Sequence, residues 1–290
     1  MLKYDSIAAL CHAAESAGLT LSQLVLKDQA EDMGESADAL YDRMKQRLNV
    51  MAQAVKAGSD PALRSTSGLT GGDAARLWNY AAGGGMTGSF LCGAMARATA
   101  VAEYNAAMGK IVAAPTAGSC GILPAALLSL VEDRGLPERS AVMALFTAGA
   151  IGMVIAEKAS VSGAQGGCQA ECGSASAMAA AALVEMMGGT PTQAAHACAM
   201  AIKNQLGLVC DPVAGLVEIP CVKRNVAGVV IAFSAAEMAL AGIESKIPVD
   251  EVIDAMGRVG DALPCSLKET AQGGLATTPT GLKLRAQVFG

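Results

Sequence analysis

Aromatic side chains are almost missing from this 290-residue chain, which has one Trp, four Tyr and four Phe. With so few rings and 33 Gly, its apolar mass is Ala, Leu, Val and Met. A β-sandwich would want Val, Ile, Tyr and Thr in alternation, so helices packed closely through small side chains are expected instead. Histidine is equally scarce, with only His12 and His196, and His196 falls on an Ala-rich face that suits a satisfied core group better than a catalyst. Basic runs are lacking too. At a net charge of −5 the chain offers no electrostatic footprint for nucleic acid. The amino terminus carries acidic residues and has no basic start, Leu-rich run or cleavage site, so no secretory signal is read there. One long uncharged run exists, residues 140–156; it is short for a membrane span, rich in Ala and Gly, and reads as a buried core helix. These absences point to a cytoplasmic protein with no membrane and no nucleic-acid partner.

Close cysteine pairs are also absent. There are nine cysteines, none in the Cys-x2-Cys spacing that a structural zinc site favours. Five lie between residues 160 and 225, and three of these sit beside a chain-bending element: Cys168 after Gly166-Gly167, Cys210 before Asp211-Pro212, and Cys221 after Pro220. Intracellular chains seldom keep disulfides, so metal and nucleophile readings come first. The intervals of 42 and 11 residues are too wide for a zinc knuckle. Three thiolates around an open position suit a cluster that uses one iron as a Lewis acid; inert buried thiols are the competing reading. Cys172 and Cys198 fall inside Ala-rich runs, where a thiol behaves as a small hydrophobe.

The remaining punctuation is helical. Thr20 with Gln23, and Thr190 with Pro191 and Gln193, have the pattern of capped helix starts. Residues 36–57 place Leu40, Met44, Leu48 and Met51 on one apolar stripe opposite a solvated face, which calls for a partner surface such as another subunit. Further helices are expected at 73–82, 89–108, 123–131, 190–204, 226–243 and from Pro248 to near Gly257. Two loops rich in hydroxyls and glycine precede helices. Ser65, Thr66, Ser67 and Gly68 lead toward Asp73, and Thr116, Ser119 and Gly121 lead into the helix at 123. Both read as candidate anion sites, with ordinary polar turns as the alternative. Lys203, Asn204 and Arg224 flank the second and third loop cysteines, where they would favour an anionic cluster and a carboxylate substrate. The expected fold is all-α, a compact bundle of Ala- and Gly-rich helices around a loop-borne site. It forms one domain, 1–290, with an amphipathic preface at 1–58 and a core at 59–290.

Three runs carry a resemblance: PTAGSCGILPA, GAQGGCQAECGSASAMAAAALVE and KNQLGLVCDPVAGLVEIPCVKRN. They are similar to the α chain of the bacterial iron-sulfur-dependent L-serine dehydratases (L-serine ammonia-lyases), and the likeness extends from about residue 65 to 278. The resemblance implies that Cys168, Cys210 and Cys221 hold a four-iron, four-sulfur cluster whose fourth iron meets L-serine, and that Cys172 does not ligate. It supports placing the loops at 65–68 and 116–121 at the substrate. It implies a β subunit as partner, because the family's Ser-His-Thr segment has no counterpart here and the sequence offers no evident base for the α proton. No lysine stands in a context that demands pyridoxal phosphate. Some members end in a cysteine that can cap the cluster, whereas this chain ends in Val288-Phe289-Gly290. Two rivals are a cluster-dependent lyase for another β-substituted amino acid, such as L-cysteine, and a non-catalytic helical scaffold.

Overall fold

A computed structural model describes residues 3–290. Among them there are thirteen α-helices and no strand: α1 (Ile7–Ala17), α2 (Leu21–Met33), α3 (Ala37–Gly58), α4 (Asp73–Ala82), α5 (Gly88–Ala106), α6 (Ile122–Arg134), α7 (Glu138–Lys158), α8 (Gly163–Gly166), α9 (Ser174–Met186), α10 (Pro191–Lys203), α11 (Cys221–Leu240), α12 (Val249–Ala262) and α13 (Pro279–Phe289). The all-α expectation therefore holds, and the expected helix starts lie within a few residues of those observed. Local chemistry sets several of them. Thr20 and Thr190 each accept the amide of the glutamine three residues on, whose side chain accepts in return from the threonine amide.

Other starts are capped from a distance. The Glu103 carboxylate, fully buried on α5, accepts the Asp73 and Ala74 amides at 3.1 and 3.2 Å and so closes the first turn of α4, where Gly72 has no side chain to offer. Asp250 on α12 does the same for the Ile7 and Ala8 amides of α1. Glu185 on α9 takes the Ser22 amide of α2 and the Thr147 hydroxyl of α7. Each carboxylate satisfies orphan donors and meets the positive end of a helix, which makes these links between helices as well as caps.

At the centre lies α9, buried at every position from Ser174 to Val184 and surrounded by α6, α7, α10 and α11. Its alanines let neighbours approach closely. The same economy operates at Gly58 on α3, where a Cβ would be driven into the Ala100 carbonyl of α5. Larger side chains such as Ile151, Ile155, Leu127 and Leu183 fill the remaining space, each worth about 1.5–3 kcal/mol of apolar burial. The run at 140–156 forms most of α7. Among the described residues α7 is the one helix long and apolar enough to cross a membrane, and 67% of its most apolar window is buried in the protein.

One expectation about the preface is corrected. Leu40, Leu48 and Met51 are buried, and their cover comes from this chain: α3 packs on α2, α5, α6 and α7. The stripe needs no subunit, because its partners lie up to a hundred residues away, beyond any local pattern.

Candidate active site

Three segments far apart in sequence bring their thiols together. Gly167 turns the chain at φ 76°, a conformation that favours glycine. A Cβ there would also lie 2.6 Å from Leu263 Cδ1 and 2.9 Å from the Leu208 carbonyl. Cys168 follows at once, and the next amide, that of Gln169, donates to Leu208, which ties this turn to the approach to Cys210. Cys210 is held in turn by residues 267–269: its amide donates to Leu267 and its carbonyl accepts from Glu269. Cys221, after Pro220, is the first residue of α11. All three are buried. Their charges act on one another: burial pushes the Cys210 and Cys221 thiols up, Cys221 to about 12, and the Cys168 charge adds to both. Cys168 goes the other way. Its sulfur lies 3.4 Å from that of Cys172, and the hydrogen bond between them, helped by the Arg224 guanidinium, holds Cys168 below the usual thiol range. Cys172 sits in the π-helical turn between Cys168 and α9, fully enclosed, and the contact with Cys168 together with burial pushes its thiol well up.

Arg224 is itself fixed. One guanidinium nitrogen donates to the Val209 carbonyl and another to Asp211, both at 2.8 Å. The second Asp211 oxygen accepts the Leu275 amide, so the residues after Cys210 are locked to the tail of the chain. The arginine thus reaches the thiol pocket with its position set by groups that are not thiols.

A carboxylate that the sequence reading passed over completes the pocket. Glu171, on the turn between Cys168 and Cys172, lies half-buried with the Thr116 hydroxyl and the Gly163 amide as donors. Burial raises its pKa and these donors offset part of the rise. Two glycines make room for it: a Cβ on Gly163 would lie 2.8 Å from Glu171 Oε2 and 3.1 Å from Cys210 Sγ, and one on Gly118 would lie 3.2 and 3.3 Å from the two carboxylate oxygens. A signal was present, since Glu171 is the only charged residue between Lys158 and Glu185.

The two hydroxyl loops thus hold carboxylates of their own chain. Thr116 faces Glu171, while Ser119 is fully buried beside Thr116 and the Ala114 carbonyl. The Gly121 amide is spent on Asn225 of α11, whose amide group donates to the Gly118 and Cys221 carbonyls. In the other loop Ser67 donates to both oxygens of buried Glu218, at 2.8 and 2.9 Å, and Thr70 donates to one of them at 3.1 Å. Ser65 accepts the Thr70 amide, the Thr66 amide donates to Ala106, and Gly68 makes the turn at φ 76°. Since Glu218 lies between Cys210 and Cys221, this loop is fastened to the thiol pocket's own backbone. Outside it, a cleft of about 400 Å³ is lined by Arg64, Thr70, Asp73, Arg76, Glu218 and Lys223.

Other residues singled out in the sequence lie apart. Lys203 donates to Ser245 at 2.9 Å, and Asn204 is exposed; it is buried Gln205 that reaches the Cys172 carbonyl. His196 accepts the Ser245 amide through Nδ1, as a satisfied packing group does, and His12 is exposed on α1.

Among the described residues no three His, Cys, Asp or Glu side chains are grouped to hold one metal ion. Cys168, Cys210 and Cys221 are nevertheless three separately anchored, buried thiols that feel each other's charge, a donor set whose chemistry would suit an iron-sulfur group. The donor set is soft, one member is already biased toward thiolate, and a fixed guanidinium faces the negative charge such a group would carry.

Residues 16–276 match the family model described as serine dehydratase alpha chain. Over 288 residues the chain is 49% identical to the probable L-serine dehydratase, alpha chain, of Bacillus subtilis, covering 99% of this chain and 96% of that one. It is 46% identical over 269 residues to the L-serine dehydratase, alpha chain, of Peptoniphilus asaccharolyticus, covering 92% of each. The L-serine dehydratase of Mycobacterium tuberculosis is 48% identical over 184 residues, which are 62% of this chain but only 40% of that longer relative. Similarity of this extent, spanning every segment that builds the thiol pocket, makes the chain a member of the serine dehydratase alpha chain family.

Proposed function

We propose that this chain, acting as one domain over residues 1–290, is the α subunit of an L-serine ammonia-lyase, converting L-serine to pyruvate and ammonia. The observation that carries the reading is the meeting of Cys168, Cys210 and Cys221 in one buried pocket that also contains Arg224 and Glu171. We assign the three thiols to a four-iron, four-sulfur cluster, which when bound supplies a Lewis acid for the β-hydroxyl of serine. Arg224 offsets the charge of the thiolates. Asn225 fixes the turn at Gly118–Gly121 against Cys221, so that the Thr116 hydroxyl stays beside the pocket, and Glu218 fixes the loop of Ser65, Thr66, Ser67 and Gly68 against the same backbone. We assign both loops to the substrate's surroundings, and leave Lys203 and Asn204 out because their contacts lead elsewhere.

The α proton needs a base, and neither histidine is free in the pocket. We assign the base to a β subunit. In support, the relative from Mycobacterium tuberculosis has more than half its length outside the matched stretch, room for what a second chain would bring. The test is an anaerobic purification with an iron and acid-labile sulfide count, a visible spectrum, and ammonia release from L-serine with and without the β chain. A colourless, iron-free protein, or one inert toward serine with its partner present, would refute the proposal.

A further inference from the structure

Glu171 is a carboxyl group without a counter-cation. The Thr116 hydroxyl and the Gly163 amide beside it are neutral, and among the described residues no lysine, arginine or histidine lies within ion-pair distance of it. The one cation that influences it, Arg224, is committed to Asp211, the Val209 carbonyl and Cys168. Three thiols feel its charge, and the charge of Glu269 acts on it. A carboxylate removed from water without a counter-cation is costly. Yet the surroundings are shaped to keep it in place: Gly163 and Gly118 leave no Cβ where its oxygens lie, and the Thr116 hydroxyl and the Gly163 amide beside it hold its pKa down against burial. A cradle that holds an uncompensated carboxylate beside the reacting centre is complete only when a cation arrives.

An amino acid brings one. In the reaction proposed above, the β-hydroxyl is the leaving group and the carboxylate suits hydrogen-bond donors, which leaves the α-ammonium in need of an acceptor. We propose that Glu171 binds the α-ammonium group of the amino-acid substrate, and so sets the requirement for an amine; this rests on the reading of the chain as a serine ammonia-lyase α subunit. The thiol pocket and the ammonium acceptor then belong to one turn, because Cys168 and Glu171 are three residues apart.

The test uses the reconstituted α/β holoenzyme and a matched pair of unreactive ligands, L-alanine and propionate, which differ only in the ammonium group. Binding of each is measured by anaerobic calorimetry on wild type, Glu171→Gln and Glu171→Asp, with iron counted on every sample. The wild type is expected to prefer L-alanine. Glu171→Gln is expected to lose that preference by about 10- to 100-fold, the range for a hydrogen bond to a charged group, while retaining iron. Glu171→Asp, which keeps the charge one methylene short, should retain part of the preference. An undiminished preference in Glu171→Gln, no preference in the wild type, or loss of iron from both variants would overturn the assignment, the last by making Glu171 a support for the thiols. A wild-type holoenzyme that releases no ammonia from serine would instead refute the proposed function.

Discussion

Replacing Gly163 by alanine adds one methyl group to the wall between Glu171 and Cys210. The backbone permits it, since Gly163 lies in the first turn of α8 and is not among the residues at positive φ. The side chains do not. The new Cβ would stand 2.8 Å from Glu171 Oε2 and 3.1 Å from Cys210 Sγ, and the carboxylate cannot swing away without leaving the Thr116 hydroxyl and the Gly163 amide. Overpacking of this kind costs about 1–3 kcal/mol, against which removal of a helical glycine returns up to about 1 kcal/mol. The net loss is therefore on the order of 0–3 kcal/mol, a fall in Tm of at most about 12 °C for a chain this size. Gly149→Ala is the control: it lies within α7 with nothing within 4 Å of its Cβ, so it should raise stability by about 0.4–1 kcal/mol. Thermal unfolding, iron per chain and serine turnover, all anaerobic and with the β chain present, separate the effects. Gly163→Ala is expected to lose iron or turnover by tenfold or more with only a modest shift in Tm. Full iron content and wild-type turnover in Gly163→Ala would refute the reasoning, because the two side chains would then not be fixed where the pocket needs them.

Glu103→Ala should destabilise the chain by about 1–3 kcal/mol, since it strips the first turn of α4 of the acceptor for two amides and leaves a buried gap; chemical denaturation measures it, and a change within 0.5 kcal/mol would refute the long-range cap. The Lys223–Asp73 pair joins α11 to α4, and the Lys223 hydrogen bond, seconded by Arg76, lowers the Asp73 pKa against the opposing effect of burial. A depressed carboxylate contributes stability above its unfolded value near 3.9 and loses it as pH falls through the folded value, so Lys223→Met should cost at most about 1 kcal/mol at pH 7, given how exposed the pair is, and nothing once both states are protonated well below pH 4. Denaturation curves of the two proteins that stay equally far apart through that acid range would exclude the pair as the cause.

Local chemistry was readable and distant chemistry was not. Thr20 and Thr190 announce helix starts because cap and capped amide lie within three residues, and these starts appear in the structure with the expected bonds. The meeting of Cys168, Cys210 and Cys221 was read through the family's motifs, not from spacing, for intervals of 42 and 11 residues have no geometric meaning until α9 and α11 are packed. What escaped were acids whose donors come from elsewhere in the chain. Glu103 serves amides 29 and 30 residues away, and Asp250 serves amides more than 240 away. Asn204 stands out in the sequence because it flanks Cys210, yet the helix ends there with its side chain exposed, and Gln205 takes the inward position.

The two hydroxyl loops show where such reading misleads in a useful direction. Serines, threonines and glycines ahead of a helix do indicate an anion, and each loop does hold a carboxylate, but the carboxylates are Glu218 and Glu171 of the chain itself. They are not equivalent. Glu218 is buried, with the Ser67 hydroxyl shared between its two oxygens at 2.8 and 2.9 Å and the Thr70 hydroxyl on one of them at 3.1 Å. It works as a structural clasp between the loop and the backbone that bears Cys221. Glu171 has two neutral donors, repelling neighbours and a raised pKa, so its charge is left in want of a partner. An acid clasped by hydroxyls at short distance fastens; one raised by burial and by neighbouring charge, beside the thiols, is the one a cation would relieve. That difference in satisfaction, which no motif records, separates the carboxylate that builds the site from the one available to a substrate.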